Sequence, residues 1–338
     1  MKAISTPMSA QAPYFEDLRI GEVGEVAPAL TLTSGHAAVH QAILGDRLRL
    51  PLDAPLSARV AGSSTALAHP GLVCDIAIGQ STIVTQRVIG NLFYRGLALR
   101  RSTAIGDTLS TTVEIVALRQ NSPRPDRAAT GMAVLRVRTV DQEQRPVLDF
   151  WRCAMLPLRD PAGKTDYADD VDSFGAELDP GALRSSIEDW DLDAFRDAVA
   201  GPGIDDLTEG QRWSVEGGDV VSTSPELARL TLNIASAHLD LSSTGRGRRL
   251  VYGGHTIGIA AAQVSRALPN LVTIVAWHSC DHLGPVFEGD TLHTAVELER
   301  IEPLAGGGGL LHLRSRTAAH RDDGLVDVLD WRFVAVIA

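Results

Sequence analysis

Asn233 and His238 stand five residues apart in N-I-A-S-A-H-L-D, with Asp240 two positions further on. After a basic glycine loop, G-R-G-R-R, the chain reads L-V-Y-G-G-H-T and enters an Ala-rich run. This order suits chemistry on an activated carbonyl. Gly253 and Gly254 start a segment that reads as a helix from His255 to Leu268. The first turn of a helix presents unpaired backbone N–H groups and the positive end of the helix dipole. Two glycines would let a carbonyl approach that backbone closely, and charge developing on its oxygen would be stabilised there, chiefly by the N–H of Gly254. An imidazole on the preceding loop would move protons. The competing reading is a glycine cap on a core helix beside a structural histidine.

Other groups offer less. In W-H-S-C-D-H-L, at 277–283, His278, Cys280 and His282 share one face of a strand and Asp281 the other. The paired ligand spacing of a structural zinc site is missing, so they read as ordinary strand residues. His36 and His40, one helical turn apart, read as surface or interface residues. A-G-G-G-G at 305–309 lacks the lysine and following helix of a phosphate loop and reads as a hairpin.

The elements that must position these groups come in two sets. In the first half a helix over Ser34–Leu44, with Ser34 as N-cap, precedes a second helix over Val73–Val88 and strands at Asn91–Arg101, Asp107–Leu118, Ala128–Val140 and 147–156. The second half repeats this plan. Gly71 and Gly254 are 183 residues apart, as are I-G-D-T-L (105–109) and E-G-D-T-L (288–292). D-L-R-I-G (17–21) returns as D-L-T-E-G (206–210), and V-L-D-F-W-R (147–152) as V-L-D-W-R (328–332), one residue shorter. Four motifs in one order at nearly constant offset indicate two copies of one α+β unit, 14–158 and 201–338. Between them 159–200 reads as an acidic linker, partly mobile, followed by a helix opened by a Ser185/Glu188 capping box.

Aligning the copies places Asp46 opposite Asn233, Pro51 opposite His238 and Asp53 opposite Asp240. The first copy lacks the side chain that titrates near neutral pH, so the second is expected to carry the chemistry. The 338 residues carry a net charge of −11, which argues against a nucleic-acid partner. No run approaches the ~20 apolar residues of a membrane helix, and the N-terminal stretch has no signal-peptide core. Three dispersed cysteines, Cys74, Cys153 and Cys280, fit free thiols in a reducing compartment, and a cytoplasmic location is expected.

N-x4-H-x-D, then G-G at a helix start, then P-V-F-E-G-D-T-L on a strand resembles the MaoC-like (R)-specific enoyl-CoA hydratase and dehydratase family. The resemblance implies tandem hot-dog folds, each a long helix wrapped by an antiparallel sheet, with one site degenerate. It spans both halves. G-D-R-L-R-L-P-L-D, F-Y-R-G-L and R-R-L-V-Y-G-G-H-T-I most resemble the mesaconyl-CoA hydratases, also called β-methylmalyl-CoA dehydratases. The implied activity is reversible hydration of a 2-enoyl-CoA. Asn233 and His238 would be catalytic. Gly253, Gly254, Tyr252, His255, Arg248, Arg249 and Asp46 would contact substrate, the two arginines or His255 pairing with an acyl carboxylate and Arg246 adding to a basic mouth. The family's D-x4-H carries Asn233 here in place of its acid, and a neutral amide orients water but accepts no proton. His238 then does most of the proton transfer, or Asp46 or Asp240 assists. No metal or other cofactor is implied, coenzyme A being part of the substrate. Association of several copies is implied, since hot-dog units often assemble through sheet edges or helix faces. The alternatives are a hot-dog thioesterase, which usually has an acidic residue on the long helix, absent over 255–268, and a non-catalytic acyl-thioester binder.

Overall fold

The computed structural model describes residues 12–24, 27–125, 127–175, 177–244, 247–322 and 324–338; Arg246 of the expected basic mouth lies outside them. The first half contributes β1 (Leu30–Thr31), α1 (Ser34–Leu44), α2 (Arg49–Leu52), α3 (Ala54–Ala61), α4 (Pro70–Gln80), β2 (Gly90–Leu99), β3 (Thr108–Gln120), β4 (Thr130–Val140) and β5 (Pro146–Pro157). Then come α5 (Pro180–Ser185) and α6 (Leu192–Ala198). The second half contributes β6 (Arg212–Ser214), β7 (Asp219–Val220), α7 (Ser224–Leu230), α8 (Ser236–Leu239), α9 (Gly253–Ala267), β8 (Leu271–His282), β9 (Thr291–Pro303), β10 (Gly309–Arg321) and β11 (Gly324–Ile337).

All strands join one antiparallel sheet in the order β1-β3-β4-β5-β2-β8-β11-β10-β9-β6, with β7 pairing β9. The order repeats in mirror image about the β2–β8 seam, where Tyr94 pairs with Cys280 and Leu97 with Trp277. Each half is a hot-dog: α4 and α9 are buried along nearly their whole length, and each half's strands close around its own helix. Their apolar faces form one core with the inward side chains of the sheet. The repeated motifs are turns that fix register. Gly21 and Gly210 have φ of 81° and 85° and donate to Ile115 and Leu298 in corresponding strands. Each long helix also buries one glutamine that reports to its own sheet: Gln80 donates to the Leu109 carbonyl, Gln263 to that of Leu292. A buried amide so paired fixes helix against strand.

Several expectations need correction. α1 is capped by Thr33, one residue before Ser34. α4 starts at Pro70, suited to a first helical turn because it has no N–H to leave unpaired, and ends at Gln80, with a short 3-10 turn to Val84. His40 is buried, with Nε2 3.5 Å from the Asp75 carboxylate, and is no surface residue. The Ser185/Glu188 box does not form. Ser185 ends a helix capped by Asp179 and donates to the Arg100 carbonyl, and the next helix is capped by Asp191. The linker packs on the outer face of the sheet: Val171 against Phe93, Ala117 and Cys153, and Leu183, Ile187, Leu192 and Phe195 against Val272, Val334 and Val336.

Candidate active site

Where the two halves meet, a cavity of about 210 Å³ opens between them. The second half supplies Asn233, His238, Tyr252, Gly253, Thr256 and His282; the first supplies Gly90, Asn91, Tyr94 and Arg152.

The loop carrying Asn233 is fixed by its own hydrogen bonds. Asn233 Oδ1 accepts the N–H of Ala235 at 3.0 Å, an Asx turn that launches α8. Because the backbone donor claims the oxygen, the amide nitrogen is left for the cavity. The turn is braced by the first half: the Ile234 N–H donates to Thr82 Oγ1, that of Ser236 to the Gln86 carbonyl. At Gly79 there is no room for a β-carbon, which would overlap the Thr231 carbonyl. α8 then presents His238, which is 8% exposed. Its Nδ1 lies 3.0 Å from the Leu250 carbonyl, an acceptor, so Nδ1 carries the proton and Nε2 keeps its lone pair. Burial pushes the His238 pKa down to about 4, the Leu250 hydrogen bond working against that and the Arg152 charge adding to it. The imidazole is therefore neutral at pH 7.

Tyr252 forms a wall, its ring 5.7 Å from that of His238 and its hydroxyl donated to the Asp75 carbonyl. Gly253, the first residue of α9, also lines the cavity. A β-carbon there would come 2.7 Å from His282 Nε2. Gly254 is not on the cavity wall: the space beside its α-carbon is taken by Asp75 of α4. The two glycines thus answer to protein neighbours, a histidine ring and a crossing helix, rather than to ligand access alone.

Other expected contacts lie elsewhere. His255 is fully buried, with both ring nitrogens unpaired among the described residues, and burial, with a smaller contribution from His40, lowers its pKa to about 4. It does not line the cavity that Tyr252, Gly253 and Thr256 line. Arg248 is half-exposed and bonds Asp290 at 2.9 Å, its guanidinium 4.7 Å from the Phe287 ring centre. Arg249 bonds Glu288 at 2.6 Å. Both are committed to the strand-entry turn outside the cavity. Asp46 belongs to the other half's counterpart region, where it is buried 3.1 Å from His69 Nε2. Burial raises its pKa, but the charge of and hydrogen bond to His69 and the Leu48 amide outweigh that, and the net shift is downward. Asp240 is exposed and accepts from the Ser242 amide and hydroxyl. Neither carboxylate reaches His238.

Two cavity residues escape a reading by motif. His282, an ordinary strand residue by its motif, has a buried Nε2 with no partner among the described residues; burial, His238 and Arg152 lower its pKa to about 4. Arg152 on β5 is 3% exposed, donates Nε–H to Asn91 Oδ1 and Nη1–H to Ser81 Oγ, and makes no ion pair among the described residues. A signal for it was present: in V-L-D-F-W-R, strand alternation puts Leu148, Phe150 and Arg152 on one face, a cation on the apolar side.

Known proteins were compared with this chain. No family model matches it. It is 31% identical over 320 residues to the β-methylmalyl-CoA dehydratase of Chloroflexus aurantiacus, covering 91% of this chain and 88% of that protein. It is 28% identical to the mesaconyl-CoA hydratase of Cereibacter sphaeroides, covering 93% and 91%. A solved structure of a conserved hypothetical Mycobacterium tuberculosis protein with a double hotdog fold superposes with a TM-score of 0.90 at 51% identity, covering 96% of this chain and 98% of that one. A putative MaoC domain dehydratase of Chloroflexus aurantiacus superposes with a TM-score of 0.85 at 25% identity, covering 98% and 99%. With the repeat, the sheet order and these likenesses in hand, the chain belongs to the MaoC-like double hot-dog family of hydratases and dehydratases.

Proposed function

We propose that this chain reversibly hydrates a 2-enoyl-CoA, and that its substrate pair is that of its curated relatives, mesaconyl-CoA and β-methylmalyl-CoA. The observation that carries the mechanism is the His238 tautomer: Nδ1–H is held by the Leu250 carbonyl and Nε2 is left as a base at the cavity.

In the hydration direction the Asn233 amide donates to a water molecule and holds its oxygen towards C3 of the enoyl group. His238 Nε2 takes one proton as that oxygen bonds to C3. The C2–C3 π pair moves into an enolate of the thioester, whose oxygen gathers charge at the amide of Gly253, which opens α9 on the cavity wall. One such donor is worth ~3 kcal/mol in the transition state. The imidazolium then returns its proton to C2, and atoms and charge balance without a second acid. Burial that keeps His238 neutral also makes the imidazolium a strong acid, ready to return the proton. The cavity wall carries no carboxylate among the described residues, which favours this reading over a thioesterase that needs an acidic side chain.

The test is the purified protein with mesaconyl-CoA, followed by loss of conjugated-thioester absorbance. Formation of β-methylmalyl-CoA is expected; release of free thiol would support thioester hydrolysis instead, and binding without turnover would leave a non-catalytic acyl-CoA binder.

A further inference from the structure

We infer that Arg152 is the receptor for a free carboxylate on the acyl group, so that the cavity selects dicarboxylic enoyl thioesters over uncharged ones. This rests on the reading of the cavity as an enoyl-thioester site. Four observations carry it. The guanidinium is buried, and its hydrogen-bond partners among the described residues are the neutral Asn91 and Ser81, with no carboxylate to neutralise it. Burying a cation without an anion is costly unless a ligand supplies the anion. Only its Nε and Nη1 are engaged, by the neutral oxygens of Asn91 and Ser81, so Nη2 is left to the cavity wall that Arg152 forms. Those two bonds hold the guanidinium plane still, which suits paired recognition of a planar carboxylate.

Its neighbour fits the same ligand. Tyr94 lies directly opposite Arg152 in the β2–β5 register, so the two side chains share a face and both line the cavity. The Tyr94 hydroxyl has no hydrogen-bond partner among the described residues, and from the cavity wall it is a second donor for the anion.

Location decides between arginines. In an enoyl thioester whose far carbon carries a carboxylate, that group is bonded to the carbon that water attacks. Its receptor must share the wall with His238, as Arg152 does and as Arg248 and Arg249 do not. In the pseudo-equivalent register of the other half, Trp277 pairs with Phe333. The chain is one residue shorter between V-L-D and W-R there, which turns Arg332 to the outside. The half with the smaller cavity is also the half whose matching strand position holds Phe333 rather than an inward arginine.

The test compares mesaconyl-CoA with its methyl ester at the free carboxylate, by calorimetric binding to the unaltered protein and by kcat/KM. A preference for the acid of ~100-fold is expected, the scale of losing one partner of a buried charged pair. Equal binding of acid and ester overturns the inference. An acid preference in binding with no hydration of either compound would retire the hydratase reading while leaving Arg152 its role. In Arg152→Gln the ratio between acid and ester should collapse, and in Arg152→Lys it should return in part. A folded Arg152→Gln protein, checked by thermal melting, that loses both compounds in equal proportion would show that the arginine only braces Asn91 and Ser81, and would also overturn the inference.

Discussion

The cavity around His238 and its counterpart in the first half are built from the same backbone and have opposite interiors. The Asx turn at Asn233, whose oxygen takes the amide two residues on, recurs at Asp46, whose carboxylate takes the Leu48 amide at 2.7 Å. A four-residue helix follows each turn, and Pro51 stands in it where His238 stands in the other. The β2–β8 seam makes the rest of the correspondence explicit: Leu99 occupies the place of His282, Trp277 that of Tyr94 and Phe333 that of Arg152. One interior is a polar cavity of about 210 Å³; the other keeps about 20 Å³. Trp277, Trp331 and Phe333 fill it, the last two stacked with ring centres 3.9 Å apart. The difference between the copies therefore lies in the replacement of polar side chains by aromatic packing. Apolar burial stabilises the fold by about 25 cal/mol per Å², so the aromatic interior serves the core.

This comparison can be broken most directly at its centre. His238→Ala should lower kcat by at least ~100-fold, the usual weight of a general base, while far-UV circular dichroism stays unchanged. Adding Pro51→His to that variant should restore nothing, because Phe333 and Leu99 still fill the opposite region. Recovered turnover in the double variant would show that the two regions differ by less than is argued here.

Acid offers the next test. His238, His255 and His282 all have pKa values lowered by burial to about 4, against 6.5 in the unfolded chain. Below pH 6.5 the unfolded state binds protons that the folded state refuses, so stability is lost as pH falls from 6.5 towards 4. Each histidine contributes on the order of 3 kcal/mol over that window. Melting temperature should drop steeply there, and the acid limb of kcat/KM should lie well below 6.5. A limb centred near 6.5 would mean that His238 is solvated, contrary to its place in the wall.

The smallest effect separates the two glycines of the helix start. Gly254→Ala should destabilise the fold by about 1–3 kcal/mol, as overpacking does, because its methyl group meets Asp75 of the neighbouring helix. Gly71→Ala, at the corresponding place, meets only the edge of the His69 ring at 2.9 Å and should cost less. Thermal melting of the two variants without ligand decides this; equal losses would remove the claim that Gly254 serves a helix crossing.

Much of this was legible in the chain itself. The spaced repeats required two copies of one unit, and turn glycines and strand alternation fixed the elements and their order. Pro51 opposite His238 marked which copy holds an imidazole at the larger cavity, since one titratable side chain can be read without coordinates. The Asn233–His238 spacing placed both residues on one loop, because local hydrogen bonds over two to five residues decide such turns. The pairing of halves is a different matter. That β2 and β8 lie side by side, bringing Arg152 and Tyr94 of one copy to His238 of the other, depends on contacts between residues far apart in sequence. The same holds for the misplaced contacts: Arg248, Arg249 and His255 are near the motif along the chain, but the ion pairs of the two arginines and the burial of the histidine are made by residues distant in sequence. Sequence proximity determined the loop of Asn233 and His238, and only the packing of one sheet around two helices decided what faces it across the cavity.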